Sequence, residues 1–347
     1  MTQALRSVLE WIYGIVGSYG VAVVLFTLLI RTILTPLEIS SRKGMRKMSA
    51  IQPKLNALQQ KYGKDQAKLQ QKQQELMKKE HYNPLSGCLP MLIQFPILFI
   101  MFYAMRDVAN INIVEQAFTF LKGETPVYEP FLWVKNVFMA DSPFKTAAVD
   151  ASSLMASGAG IWKEALQKLS AADIETILAN IRAAVPAAAE LSQEQILNFA
   201  DASAVRAAVE TYLMPALNSM PAYSAAVAPV AGWAGVSLLL FKVTLYQQFN
   251  GLLILPILSG VTQVMMTKLN PTMQQPAQPQ GNQTGMNNFM KYFFPLFSVF
   301  ICLSSNAGFA LYWCAINVFA TGQSILINKY LEKKDAKALP AEEDTVK

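Results

Sequence analysis

The chain has 347 residues, of which 53% are hydrophobic and only 15% charged, and its mean hydropathy is +0.27. An average soluble chain carries about 25% charged residues, so this composition excludes an ordinary water-soluble enzyme and points to long stretches that never meet water. The net charge of +6 fits nucleic acid or an anionic membrane surface, so the location of the charge matters more than its sum.

Along residues 1–18, Leu5, Val8, Leu9, Ile12, Ile15 and Val16 recur at helical spacing, with Arg6 and Glu10 on another face. This pattern predicts an amphipathic helix lying on the outer membrane surface, the alternative being a plain leader into the first span. No small-residue cleavage site of a signal peptide follows a charged start. A helix crosses roughly 30 Å of hydrocarbon with about 20 mostly apolar residues. Five runs meet this need, at 19–37, 88–107, 251–269, 289–305 and 306–327.

Between the first two runs, 38–87 carries Arg42, Lys43, Arg46, Lys47, Lys61 and Lys64 among other basic residues. Lysine and arginine in short loops resist translocation, so this loop is expected in the cytoplasm, with the N-terminus outside and the C-terminus inside. Leu55, Leu58, Tyr62, Leu69 and Leu76 form a sparse apolar stripe, and Tyr62-Gly63-Lys64-Asp65 is a turn signal, together predicting a cytoplasmic helical hairpin. Its basic faces either contact anionic headgroups or ribosomal RNA or are simply solvated; charge alone does not choose.

Residues 108–250 are acid-rich and read as extracytoplasmic, with a helical insertion at about 145–241. Ser170-Ala171-Ala172-Asp173 and Ser192-Gln193-Glu194-Gln195 are capping-box signals. The Ala-rich stretch 225–241, with Pro229 and Gly232, is expected to be an interfacial or packed helix. The Pro-, Gln- and Gly-rich stretch 271–285 reads as a mobile part of a cytoplasmic loop at 270–288, and 328–347 as a cytoplasmic tail.

Arg31 is the most informative residue. An arginine at the centre of a spanning helix costs about 2.5–3.5 kcal/mol on insertion scales, which implies compensation. Either the guanidinium snorkels to the nearby cytoplasmic interface, or it faces a water-filled cavity between helices. Thr27 lies one turn earlier on the same face, Gln94 lies in the second run, and Ser304, Ser305, Asn306, Asn317 and Gln323 populate the last two, which favours the cavity. No embedded carboxylate accompanies Arg31, which argues against a proton relay. Cys88, Cys302 and Cys314 sit in apolar runs and the single histidine, His81, among charged residues, so neither a disulfide framework nor a metal-ligand spacing is expected.

Residues 83–103 (NPLSGCLPMLIQFPILFIMFY), 308–331 (GFALYWCAINVFATGQSILINKYL), 23–37 (VVLFTLLIRTILTPL), 51–65 (IQPKLNALQQKYGKD) and 131–144 (FLWVKNVFMADSPF) together resemble the YidC/Oxa-type membrane protein insertases in their bacterial five-span form. The resemblance implies an all-α polytopic membrane protein of the bacterial plasma membrane, with five transmembrane helices around a hydrophilic groove open to the cytoplasm. It places Arg31 in that groove, with Thr27, Gln94, Trp313 and Asn317 as further lining residues. It also implies nascent membrane proteins and lipids as partners, with the Sec translocon and the ribosome as candidates, and no DNA. Insertion of this kind is not an enzymatic reaction, and neither a cofactor nor a metal is expected; no GxxxxGK[ST] nucleotide-binding motif is present. The insertion at 145–250 exceeds the family core, and the short, charge-balanced tail argues against tail-mediated ribosome binding. Two other classes compete: a membrane scaffold whose external domain binds a partner, and a small-solute transporter, which would call for inverted repeats or a continuous pore.

Overall fold

The computed structural model describes residues 2–81, 85–238, 241–269 and 283–338; the side chains of 2, 85–95, 238, 241, 283–290 and 335–338 lie outside that description. Most of the expected 270–288 loop, and the tail from 339 onward, therefore fall outside the described residues. The described chain is dominated by helices, with one small pair of strands. The first four are α1 (Thr2–Val16), α2 (Tyr19–Tyr62), α3 (Gln66–Lys79) and α4 (Leu85–Leu121). Among the described residues, Tyr19–Tyr62, Pro96–Leu121 and Ala307–Lys334 are long and apolar enough to cross a membrane, while Ile254–Leu269 and Lys291–Ser304 are apolar but shorter.

The helices overrun the boundaries that hydropathy sets. α2 is 44 residues long, running past residue 37 to Tyr62 with Pro36 and Pro53 inside it. A proline inside a helix removes one N–H and distorts the preceding turn, and the freed carbonyls need other donors. On the N-terminal side of Pro36 the hydroxyls of Thr32 and Thr35 each donate one turn back, to Leu28 O (2.8 Å) and Arg31 O (3.0 Å), carbonyls other than that of Thr32, which faces the proline. α4 likewise runs fourteen residues past 107, to Leu121, because its later turns keep an apolar face of Val108, Ile111, Val114, Phe118 and Leu121 that is buried.

The chain divides into two compact units. One comprises Met1–Val24, Ile100–Ile257 and Phe300–Tyr312; the other comprises Leu25–Phe99, Leu258–Val299 and Trp313–Lys347.

In the first unit an irregular segment, 129–141, receives the otherwise unpaired N–H groups that begin three helices. The Glu129 carboxylate accepts from Tyr19 N at the start of α2 (2.8 Å) and from the Tyr13 hydroxyl of α1 (2.9 Å). Burial and that carboxylate push the Tyr13 hydroxyl up to about 12. The carbonyls of Met139 and Val137 accept from Ala307 N (2.8 Å) and Gly308 N (2.9 Å), which open α14 (Ala307–Ala338). The Asp141 carboxylate accepts from Leu252 N (2.7 Å), Leu253 N (3.2 Å) and Leu255 N (2.7 Å), at the start of α12 (Ile254–Leu269), and from Trp133 Nε1 (3.1 Å). Negative charge at these helix N-termini is also favoured by the helix dipole. Gly251 is required beside it, since a Cβ there would lie 2.0 Å from Asp141 Oδ1. Asn136 and Asn250, both buried, lock the same region: Asn136 N donates to Asn250 Oδ1 (2.8 Å), and Asn250 Nδ2 donates to Asn136 O (2.9 Å).

Seven short helices follow: α5 (Ala151–Ala156), α6 (Ala159–Leu166), α7 (Ala171–Ala184), α8 (Gln193–Leu197), α9 (Ala202–Ala208), α10 (Met214–Ser219) and α11 (Pro221–Ala226). Ser170 and Ser192 form reciprocal capping boxes with Asp173 and Gln195. Their core is fully buried Trp162, edge-on to Phe118 of α4 (5.7 Å) and Phe199 (5.3 Å). Arg6 of α1 forms an ion pair with Glu164 of α6 as well as with Glu10.

Two expectations are corrected here. The stretch 225–241 is not a helix: α11 stops at Ala226, and β1 (Val236–Leu238) pairs antiparallel with β2 (Phe241–Val243), with Val236 opposite Val243. Gly232 (φ +78°) and Gly235 (φ +61°) take left-handed conformations that end helical continuation, and β-branched Val236 and Val243 suit a pleated surface. The helices of the insertion accordingly span 151–226 rather than reaching 241, while the described residues remain predominantly helical, consistent with an all-α membrane protein.

In the second unit, α2 turns through Gly63-Lys64-Asp65 into α3, whose N-terminus is capped by Asp65 (3.1 Å to Lys68 N). Ile51 and Leu55 of α2 pack with Leu76 and Met77 of α3. α13 (Gln283–Ser304) begins inside the stretch expected as loop, once the last proline of that stretch, Pro279, is passed.

Candidate functional site

The polar groups of the apolar helices meet on α14. Gln323 Nε2 donates to Thr35 Oγ1 (2.8 Å) and to the carbonyl of Arg31 (3.2 Å), both on α2. Asn317 Nδ2 donates to Thr262 Oγ1 of α12 (3.2 Å), and Trp313 Nε1 donates to Ser298 Oγ of α13 (3.1 Å). Gln323 lies six residues beyond Asn317, about 120° around the helix, so α14 turns one polar side toward α12 and α13 and another toward α2. Polar side chains in apolar helices find partners this way because an unsatisfied group in hydrocarbon is unfavourable.

Of the sequence-derived residues, Thr27 is buried, Arg31 and Trp313 are half-buried, and Asn317 is buried. Gln94 lies on α4, and its side chain falls outside the described residues. Thr35, Ser259, Thr262 and Ser298 were not singled out by sequence, although Ser259 and Ser298 are fully buried within apolar helices. Thr35 carries the one available signal, its position one turn after Arg31 on the same face.

The basic residues of 38–87 separate into two kinds. Lys43, Lys47, Lys61 and Lys64 are exposed. Arg42, expected among the outward contacts, is instead 1% exposed, with its guanidinium donating to Glu38 Oε1 (2.7 Å) and Asn328 Oδ1 (3.5 Å). Half-buried Arg46 donates to Asn328 O (2.9 Å) and lies 3.6 Å from Glu332. Glu38 sits one turn before Arg42, which positions the carboxylate for a buried charge-assisted pair. Both arginines join α2 to α14, and Arg42, being buried, does not present a contact surface.

Large apolar side chains also lie exposed on these helices. On α13, Tyr292, Leu296 and Phe300 recur every fourth residue and are 63%, 72% and 66% exposed, a continuous outward stripe. Leu25, Leu28, Leu29 and Ile33 are likewise exposed on α2. Among the described residues, no three His, Cys, Asp or Glu side chains are grouped to hold a metal.

The chain matches the family described as 60Kd inner membrane protein over residues 11–334. It is 31% identical over 135 residues to the membrane protein insertase YidC of Chlorobium limicola, a stretch that is 39% of this chain and 21% of that protein. It is 38% identical over 137 residues to the YidC insertase of Pelodictyon phaeoclathratiforme, covering 40% of this chain and 21% of the relative. With the YidC insertase of Anaeromyxobacter dehalogenans it shares 32% identity over 168 residues, 48% of this chain and 26% of the relative. The matched stretches thus span only 21% to 26% of the length of these relatives.

Proposed function

The chain belongs to the 60Kd inner membrane protein family, and we propose that it is a membrane protein insertase whose substrates are nascent membrane proteins. The observation that carries this reading is the family match, which covers nearly all of the described apolar helices. The five spans of the working protein are α2, α4, α12, α13 and α14. The shared origin of α2, α12 and α14 on segment 129–141 supports an arrangement in which these three start outside the cell, leaving the basic 38–87 region and the C-terminus inside.

In this reading Arg31, Thr27, Gln94, Trp313 and Asn317 line a hydrophilic groove open to the cytoplasm. A polar external segment of the substrate enters it, where water and the Arg31 charge offset desolvation, and acidic groups gain most. The substrate's apolar helix moves along outward stripes such as Tyr292, Leu296 and Phe300, and hydrophobic transfer draws it into the bilayer. No bond is made or broken and no nucleotide is hydrolysed. Lys43, Lys47, Lys61 and Lys64 face anionic headgroups or the ribosome, and the Sec translocon is a candidate neighbour.

A photoreactive amino acid placed in turn at Thr27, Trp313, Leu296 and the exposed position Val127 of the first unit tests this with translation-arrested substrates. The groove positions should capture the substrate's polar segment and Leu296 its apolar helix. Equal capture at Val127 and the other three positions would refute the assignment.

A further inference from the structure

The two arms of the α2–α3 hairpin enclose a groove of about 420 Å³ lined by Lys54, Ala57, Leu58 and Lys61 from α2 and Lys72, Glu75, Leu76 and Lys79 from α3. In each arm the four residues fall at i, i+3, i+4 and i+7, so each set is a single stripe about 10 Å long. Both stripes have a leucine near the centre and a lysine at each end. The result is an apolar floor with four ammonium groups at its corners and one carboxylate, Glu75, on the rim. Lys54 is drawn off toward Glu80 (2.6 Å) and Lys72 toward Glu75 (2.7 Å), while among the described residues no carboxylate lies within ion-pair distance of Lys61 or Lys79. Lys61 and Lys79, flanked by two lysines that share nearby carboxylates and set over an apolar floor, fit an acidic segment with some apolar character.

The chain itself contains one: Leu339-Pro340-Ala341-Glu342-Glu343-Asp344. We propose that this segment docks in the hairpin groove, with Glu342, Glu343 and Asp344 against the lysines, and shields the groove from anionic partners. The inference stands on the hairpin's geometry and charge and is independent of the insertase reading.

The reach is sufficient. α14 runs along α2 in the same sense, with Gln323 at Arg31 and Thr35, then Asn328 at Arg42, then Glu332 3.6 Å from Arg46. From that last contact, Ala338 lies about 9 Å onward along α14, while Lys54 and Lys61 lie about 12 and 22 Å onward along α2. The five residues from Leu339 to Glu343 extend up to about 17 Å, which covers the gap and a lateral offset of about 10 Å between helices. Individual exposed ion pairs are weak, but a short tether holds the acidic run at millimolar effective concentration beside several lysines. Docking of this kind weakens as salt shortens the screening length.

The test treats the full chain, in detergent micelles at low salt, with a zero-length carbodiimide that joins lysine amines to carboxylates in contact. Mixing heavy- and light-isotope protein separates links within one chain from links between chains. Docking predicts intrachain amides from Lys61 or Lys79 to Glu342, Glu343 or Asp344, reduced at least fivefold in about 1 M salt, where the Debye length is about 3 Å. It also predicts that the triple variant Glu342→Gln, Glu343→Gln, Asp344→Asn binds anionic vesicles of phosphatidylglycerol about fivefold more tightly than the parent. Absence of these intrachain links, links only between chains, or unchanged vesicle affinity in the triple variant would overturn the proposal.

Discussion

Replacing Asp141 by alanine should detach the start of α12 from segment 129–141. The carboxylate is 1% exposed and accepts four hydrogen bonds, from Leu252 N, Leu253 N, Leu255 N and Trp133 Nε1. Losing an N-cap acceptor costs about 1–2 kcal/mol. Stranding the buried Leu255 N–H adds about 1–3 kcal/mol, while the more exposed donors recover water, so the expected loss is about 2–5 kcal/mol. At roughly 2–4 °C per kcal/mol for a domain of this size, the melting temperature should fall by about 10 °C. Thermal melts in detergent, followed by tryptophan fluorescence, measure this, and hydrogen exchange at Leu252–Leu255 localises it. Asp141→Asn keeps one acceptor oxygen but turns an amide toward donors, so it should fall between parent and alanine variant. An alanine variant that melts within about 2 °C of the parent, with unchanged exchange at these amides, would refute the capping role.

Three other outcomes are expected. Gln323→Leu removes the donor to Thr35 Oγ1 and Arg31 O, and a cycle with Thr35→Val should show coupling of about 0.6–1.7 kcal/mol in reversible unfolding; strict additivity would discard the contact. Arg42→Met alone should destabilise by about 2–3 kcal/mol because Glu38 loses its partner in a largely buried site, whereas Arg42→Met with Glu38→Gln should recover most of that loss. Acid sensitivity should come from the first unit. Burial pushes the Asp150 carboxyl up, but Lys145 (2.7 Å) and the α5 cap outweigh it and hold it below its ordinary value, and the Arg6 hydrogen bond holds Glu164 below its own. Lowered folded-state values mean this stability is complete above the ordinary carboxylate range, about pH 4, and is lost as pH falls through the lowered values. Melting temperature should be flat from about pH 7 to 5 and drop below about pH 4, less steeply for Asp150→Asn; a decline already under way near pH 6 would contradict the assignment.

Family membership and helical character were legible because both reside in local signals: long apolar runs, an arginine within one of them, and the capping boxes opened by Ser170 and Ser192. What escaped the sequence depends on partners far along the chain. Asp141 and Asn136 look like ordinary loop residues until Leu255 and Asn250, more than a hundred residues later, fold against them. Arg42 reads as one more solvated cation in a basic stretch, since its burial depends on Asn328 as well as on Glu38. The stretch 225–241 misled because alanine content favours helix, while the decisive facts are the positive φ of Gly232 and Gly235 and the pairing of Val236 with Val243. Within the candidate site, Arg31 announced itself by its charge, but Thr35, Thr262 and Ser298 are common in apolar helices and acquire meaning only from Gln323, Asn317 and Trp313.

Insertion by the purified chain alone is the most direct test of the proposed activity. A short single-span substrate with an acidic external segment is presented to liposomes containing only this protein, folded and uniformly oriented, and insertion is scored by protease protection. Protection that depends on the protein, and that falls with Arg31→Glu across several acidic substrates, is the expected result. Protection no greater than in empty liposomes would contradict an autonomous insertase.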